Sequence, residues 1–412
     1  MQKECMYAVM KGDERLKQYV FEETKKYSKD KKELEYSISE LKQLLLRPYY
    51  KQVICEKSIL FWMPSYAYFV DSILSLIYRY IKERKRCIVM IPVEDVIEIG
   101  DKNINDMIVL IKQIEFLGGR CYSNHQKNVY SDKFSLCYLC SEYSYPIPST
   151  LRRNIDYVVA LQTTALYVHM YRIKERFNDV FSEKQRKEID YLITSNYMAD
   201  WIGERDTQWN EKILRFGYPK LDALYNAFSS EISIPKEWKK KIEGKKVLLV
   251  TNVEEMVLNI LGKEESCAII WRPHPLVLQE KKDWVKCICK KYQNIILDDM
   301  VSYYISFRIS DALISGIISS IMVNYLYTGK ALCFYDTKFD QNPVIDFRKE
   351  VWYKSAYIVL TETEVLEFAR MIAQGKDMEK QELAYYRHYI INNFDGKVCD
   401  RVYDFFEDKM CN

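Results

Sequence analysis

What most limits the fold of this 412-residue chain is a series of short apolar segments, each closed by Pro, Gly or a polar turn and followed by a helical stretch. Ile59-Leu60-Phe61-Trp62-Met63 ends at Pro64 and Cys87–Ile91 ends at Pro92; Leu136–Leu139, Tyr157–Leu161, Tyr191–Ser195 and Ile213–Phe216 follow. The pattern restarts with Lys246–Thr251, Cys267–Trp271, Asn294–Leu297, Ala312–Ile314 and Ala356–Leu360. A strand that is apolar at nearly every position has both faces covered, which is the condition of a parallel sheet with helices on either side. The spacing predicts helices over Asp71–Lys82, Ile104–Leu117, Lys184–Tyr191, Val253–Leu261, Leu276–Tyr292 and Thr363–Ile372. Strand, helix and strand in sequence make a βαβ unit, so the fold class is α/β.

A chain of this length exceeds one ordinary core. The alternation breaks at Ile232-Ser233-Ile234-Pro235 and the lysine-rich Lys236–Lys246, which reads as a linker. The expected division is an N-terminal helical segment 1-50, with Leu34, Ile38, Leu41, Leu44 and Leu45 at helical spacing, and a Rossmann-like domain 51-228. A linker 229-246, a second Rossmann-like domain 247-378 and a C-terminal helix 379-412 crossing back toward the first domain complete it. Two doubly wound domains facing a cleft are the outline of a GT-B-like transferase, with the ligand between them.

Composition removes several alternatives. The formal charge is only +3, so nothing in the total demands nucleic acid. Basic runs at Lys82–Arg86 and Lys236–Lys246 read as solvated faces or as surfaces attracted to anionic lipid at the membrane. The apolar stretch Ser58–Ile81 is interrupted by Pro64, Asp71 and Arg79, which suits a buried strand and helix better than a bilayer span. No signal peptide opens the chain, and a reducing cytoplasm is the expected location, with peripheral attachment to the inner face of the cell membrane. Among the twelve cysteines, Cys137-x-x-Cys140 has no second pair to complete a zinc site. GxGxxG, Walker A, HExxH and GxSxG are all absent, so no cofactor and no metal are expected. Asp298-Asp299 would make a metal-binding pair, but a helix cap at a strand end is the plainer reading.

Two stretches carry chemistry. Ser310–Asp336 reads as a buried strand, a turn with Gly316 and Ser319–Ser320, a short helix with Met322, Tyr325 and Leu326 on one face, and a Gly329–Lys330 stop. A helix starting at Ser320 would present unpaired N–H groups at the carboxyl edge of the sheet, where open α/β folds place anions. The plain alternative is that the serine only caps the helix. Trp271-Arg272-Pro273-His274-Pro275 then closes the strand before it. Two prolines hold Arg272 and His274 in one presentation; Arg matches phosphate oxygens in a planar fork, and His moves a proton near neutral pH.

Together, RPHP after a buried strand and SDALIS followed by SS-x-x-x-N-Y-x-x-x-G-K-x-x-x-F-Y resemble the CDP-glycerol glycerophosphotransferase family of teichoic-acid-type polymerases and primases. Weaker matches are Phe61-Trp62-Met63-Pro64, Asp71-Ser72, Val89-Met90-Ile91-Pro92 and Gly217-Tyr218-Pro219-Lys220-Leu221-Asp222. The resemblance implies a GT-B fold and attack of an acceptor hydroxyl on the β-phosphorus of CDP-glycerol or a related CDP-activated donor. CMP leaves, and a lipid-linked or polymer acceptor grows in cell-surface polymer synthesis. It implies His274 as a catalytic residue, with Arg272, Ser319, Ser320, Lys330 and Asn324 around the donor phosphates. Asp71, Thr163, Thr164, His169 and Lys220 are the N-domain candidates.

The chain also departs from the family pattern. Ser315-Gly316-Ile317-Ile318 stands where relatives carry an acidic turn, Asn324 stands for a carboxylate, and Leu161–Leu166 lacks the His of a W-H-G motif, leaving His125 and His169 in that half. A nucleotide-sugar glycosyltransferase and a non-catalytic GT-B partner protein stay open as alternatives.

Overall fold

The computed structural model describes residues 31–49, 58–63, 70–92, 101–140, 147–162, 183–229, 234–300, 303–317, 319–336, 351–376 and 381–411. The chain divides into two compact units. One spans 2–163, 175–230 and 393–412; the other is built on 231–392.

The first unit carries a seven-stranded sheet of β1 (Ser58–Trp62), β2 (Arg86–Ile91), β3 (Arg120–Ser123), β4 (Phe134–Leu139), β5 (Ile155–Leu161), β6 (Tyr191–Ile193) and β7 (Ile213–Leu214). Their order is β3-β2-β1-β4-β5-β6-β7 and every pairing is parallel. The order reverses direction between β1 and β4, which makes the sheet doubly wound. All five residues of β1 are buried, as the uninterrupted apolar run requires. Helix Val70–Lys82 packs on this sheet and receives the C-terminal helix Val398–Cys411. A buried cluster of rings joins them: Tyr80 Oη lies 2.7 Å from Tyr138 Oη, and the Tyr138 ring meets Phe406 edge-on at 6.0 Å.

The second unit repeats the plan with six parallel strands: β8 (Lys246–Thr251), β9 (Cys267–Arg272), β10 (Ile295–Leu297), β11 (Ala312–Ser315), β12 (Ala331–Tyr335) and β13 (Tyr357–Val359). The order is β10-β9-β8-β11-β12-β13, so this sheet switches direction between β8 and β11. Leu248, Val250, Ile269, Trp271, Ile314 and Cys333 form one buried layer with Val257, Leu258 and Phe368 from the flanking helices. Each such aliphatic side chain contributes about 1.5–3 kcal/mol by leaving water. Helix Glu362–Ala373 covers this face and starts with a capping box in which Thr361 and Glu364 satisfy each other's backbone N–H groups.

Three sequence expectations need correction. Lys236–Lys246 is not an open linker: Lys236–Ile242 is a helix with Trp238 buried and Lys241 Nζ donating to the Ile295 carbonyl at 2.9 Å, and Lys246 begins β8. A single buried tryptophan seats this short helix, and the lysines around it masked that signal. The helix expected over Leu276–Tyr292 breaks at Lys281, whose φ of −124° and ψ of 35° are not helical, into Pro275–Glu280 and Lys282–Lys291. The C-terminal helix likewise breaks, into Gln381–Ile391 and Val398–Cys411, around Asn393 (φ 69°) and Gly396 (φ 71°). Helix Asn196–Arg205, capped by Ser195, had no sequence expectation.

Candidate functional site

The chemistry-bearing residues of the second unit gather at the carboxyl edge of its sheet, around the switch point. Parallel pairing sets Arg272, Thr251 and Ser315 side by side in one row: Thr251 pairs with Arg272 across β8 and β9, and with Ser315 across β8 and β11. The strands that carry the Arg272 loop and the serine turn are not neighbours, because β8 lies between β9 and β11. At about 4.8 Å per strand the two strand ends are about 10 Å apart, a span that a pyrophosphate with its flanking groups can bridge.

The loops at this edge are locked to one another. Thr251 Oγ1 donates to the Arg272 carbonyl at 2.9 Å, and Ser315 Oγ donates to the Ile317 carbonyl at 2.8 Å. Asn252 takes a left-handed φ of 52° as the chain leaves β8. Gly316 is required where it stands: a Cβ there would come within 2.5 Å of the Asn252 carbonyl oxygen. The turn that lacks the family's acid is thus the place where two backbones touch. Helix Ser320–Leu326 follows, with Ser319 extended at its cap position. Ser319 Oγ makes no cap bond to the helix and is shielded without a hydrogen-bond partner, so this hydroxyl does not serve as the helix's own cap.

Arg272 is held from the side. Its Nη1 donates to Asp298 Oδ2 at 2.8 Å, the carboxylate being fully buried and the Arg272 side chain 14% exposed. Asp298 also accepts from Met300 N at 3.1 Å and from Ser306 Oγ, while its own N–H donates to the Trp271 carbonyl at 2.8 Å. It is not the cap of helix Tyr304–Ile309, which starts at Tyr303 without a side-chain cap. Among the described residues no group of three or more His, Cys, Asp and Glu side chains could hold a metal. His274 is exposed at the start of helix Pro275–Glu280. Asn324 is buried on helix Ser320–Leu326, its Nδ2 donating to Tyr303 Oη at 3.1 Å.

Lys330 does not belong to this group. It precedes β12 and so lies at the opposite, amino edge of the sheet. There Nζ donates to the carbonyls of Phe307, Arg308 and Ser310 at 2.8, 2.7 and 2.6 Å, closing helix Tyr304–Ile309, and burial pulls the ammonium down to about 8. A lysine beside a phosphate-suited helix in sequence is separated from its N-terminus by the length of that helix.

The first unit answers differently. Lys220 opens helix Lys220–Ser229, and the motif around it seats the C-terminal helix. Asp222 Oδ1 and Oδ2 accept from Val398 N and Cys399 N at 2.9 and 2.7 Å. Gly217, at φ 92°, leaves 2.9 Å between a would-be Cβ and Val398 Cγ2. Gln162 is fully buried, and its Oε1 accepts from Thr194 Oγ1 and Ser195 N, joining the ends of β5 and β6. His125 is exposed beyond edge strand β3. Thr163, Thr164 and His169 lie outside the described residues, as does the side chain of Asp71, the second residue of helix Val70–Lys82. Sequence reasoning missed Asp298 as a partner of Arg272, along with Thr251 and Ser306. The available signal was the position of Asp298, one residue past an apolar strand at the ligand edge.

Two doubly wound parallel sheets, the second with an arginine, a histidine and a serine pair at the carboxyl edge by its switch point, make this a GT-B fold. More narrowly, the chain belongs to the CDP-glycerol:poly(glycerophosphate) glycerophosphotransferase family, whose profile matches residues 152–408, more than half its length. Membership makes it a transferase of glycerol phosphate from CDP-glycerol. Among solved structures it is similar to the wall teichoic acid polymerase TagF with CDPG, at TM-score 0.56 and 17% identity, over 86% of this chain and 88% of that one. It is also similar to a putative UDP-N-acetylglucosamine 2-epimerase from Listeria monocytogenes (TM-score 0.57, 8% identity, 86% and 97% covered). The UDP-GlcNAc 2-epimerase from Neisseria meningitidis bound to UDP-GlcNAc is a further neighbour (TM-score 0.54, 10% identity, 84% and 98% covered). At these identities the likeness establishes the fold alone. A comparison with curated proteins found no match.

Proposed function

We propose that the second unit holds CDP-glycerol by its pyrophosphate at the carboxyl edge of β9, β8 and β11, and that glycerol phosphate passes from there to a hydroxyl of a lipid-linked or polymer acceptor. The observation that carries this reading is the row Arg272, Thr251, Ser315 with the unpartnered Ser319 hydroxyl beyond it. Phosphoryl transfer is mainly positioning and charge stabilisation, and this edge offers both. The acceptor hydroxyl oxygen attacks the β-phosphorus and its proton passes to water, the bond from that phosphorus to the bridging oxygen breaks, and CMP departs with the bridge electrons. Arg272, with a planar fork, spreads the charge growing on the phosphate oxygens. Ser319 and Ser320 donate hydroxyl hydrogen bonds to the same oxygens. His274, exposed on the same loop, hands a proton to the departing CMP phosphate or steadies it as a donor.

Calorimetric titration with CDP-glycerol, CMP, UDP-GlcNAc and GDP-mannose tests the donor class. The expected result is heat from the two cytidine compounds, little from the others, and a loss of the CDP-glycerol signal in Ser319→Ala and His274→Ala. Preferential binding of a uridine or guanosine sugar would overturn the reading in favour of a glycosyltransferase, and silence toward every donor would favour a non-catalytic partner.

A further inference from the structure

Asp298 has a place in the site that stability alone does not explain. A buried ion pair adds little net stability over an apolar pair of the same shape, because two charges must leave water. Yet the Asp298 carboxylate is fully buried at the ligand edge of the sheet, and each oxygen has an assigned donor: Oδ1 takes Met300 N, and Oδ2 takes Arg272 Nη1 and Ser306 Oγ. Its backbone is pinned as well, through Asp298 N to the Trp271 carbonyl in the neighbouring strand.

The contacts continue from Ser306. Its neighbour Phe307 packs against Tyr303 at 4.4 Å with the rings tilted by 38°, and meets the edge of Tyr325 at 5.0 Å. Tyr303 Oη accepts from Asn324 Nδ2, on the helix that Ser319 precedes. A chain of hydrogen bonds and ring contacts thus runs from the Arg272 loop to the serine helix, by a route separate from the β8 loop that lies between them.

We propose that Asp298 is a positioning residue of the donor site: it fixes the Arg272 guanidinium in its phosphate-facing arrangement and, through Ser306 and helix Tyr304–Ile309, ties that arrangement to helix Ser320–Leu326. This rests on the reading of Arg272 as a donor contact. A guanidinium held in place before the ligand arrives loses less freedom on binding and presents its fork in one orientation. Residues that orient the ligands of metal sites are worth about 10–100-fold in affinity or activity, which sets the scale expected here.

The test is a double-mutant cycle on the full chain, with CDP-glycerol affinity measured by calorimetry for the wild type, Asp298→Asn, Arg272→Ala and the double variant. Asp298→Asn keeps the side-chain volume and removes the charge. It is expected to weaken CDP-glycerol by about tenfold or more alone, and by less than about twofold when Arg272 is already Ala, because the two act as one unit. Ser306→Ala, which leaves the ion pair in place, should give a smaller loss that also vanishes in the Arg272→Ala background, and it stands in if Asp298→Asn does not fold. Wild-type affinity in Asp298→Asn, or losses that add in the double variant, would overturn the inference while leaving Arg272 as a donor contact. Wild-type affinity in Arg272→Ala would remove the donor reading and the positioning role together.

Discussion

Arg272→Ala is expected to weaken CDP-glycerol binding by about 100-fold or more, because charge-assisted hydrogen bonds are worth about 1.5–3 kcal/mol each and, on the proposed reading, the fork offers two of them to a phosphate. The melting temperature should fall too, since the substitution strips Asp298 of its counter-charge in a fully buried position. Breaking such a pair from one side costs about 3–5 kcal/mol when the remaining charge stays dry. Arg272→Lys separates the two effects. Lysine keeps a positive charge facing Asp298 but has no planar fork, so it should retain most of the stability and still lose much of the affinity. Calorimetry and thermal denaturation of the three proteins check this; a Lys variant with wild-type affinity would mean that Arg272 contributes charge alone. Lys330→Met makes the complementary control. It removes the ammonium's bonds to three carbonyls and should lower the melting temperature without changing donor affinity, in keeping with a place at the far edge of the sheet.

Asp222→Ala should be the most damaging single change in the first unit. Asp222 is 4% exposed and accepts from the first two N–H groups of helix Val398–Cys411, at the positive end of that helix. Removing it leaves two buried donors without partners, at about 3–5 kcal/mol for the pair. In a domain of about 200 residues that corresponds to a drop in melting temperature of roughly 10 °C. Asp222→Asn retains one acceptor oxygen and should fall between the two. Thermal denaturation together with hydrogen exchange of the C-terminal helix measures both; a melting temperature unchanged by Asp222→Ala would show that ring packing of Phe405 and Phe406 on Tyr191 holds the helix without the cap.

The parallel sheets were legible in the sequence because a doubly covered strand must be apolar at nearly every position, and β1, β2, β8, β9, β11 and β12 are. Ser319, Ser320, Arg272 and His274 were legible for the same reason: each comes directly after such a strand, and the loop leaving a parallel strand emerges at the carboxyl edge. Lys330 was set near the phosphates by the resemblance alone; it enters a strand instead of leaving one, and so stands at the amino edge. The strand order was hidden, since only tertiary packing decides that β8 stands between β9 and β11. The Asp222 cap was hidden likewise. Its partners Val398 and Cys399 are distant in the chain, and no local pattern announces a carboxylate that caps a helix from elsewhere.

Phosphorus NMR of CDP-glycerol incubated with the protein and a poly(glycerophosphate) primer tests for chemistry at the switch point of the second sheet. The pyrophosphate resonances should decay while CMP and a phosphodiester signal grow in equal amounts, and both changes should be lost in Arg272→Ala. Release of glycerol with CDP, or the same CMP and phosphodiester growth in Arg272→Ala, would contradict it.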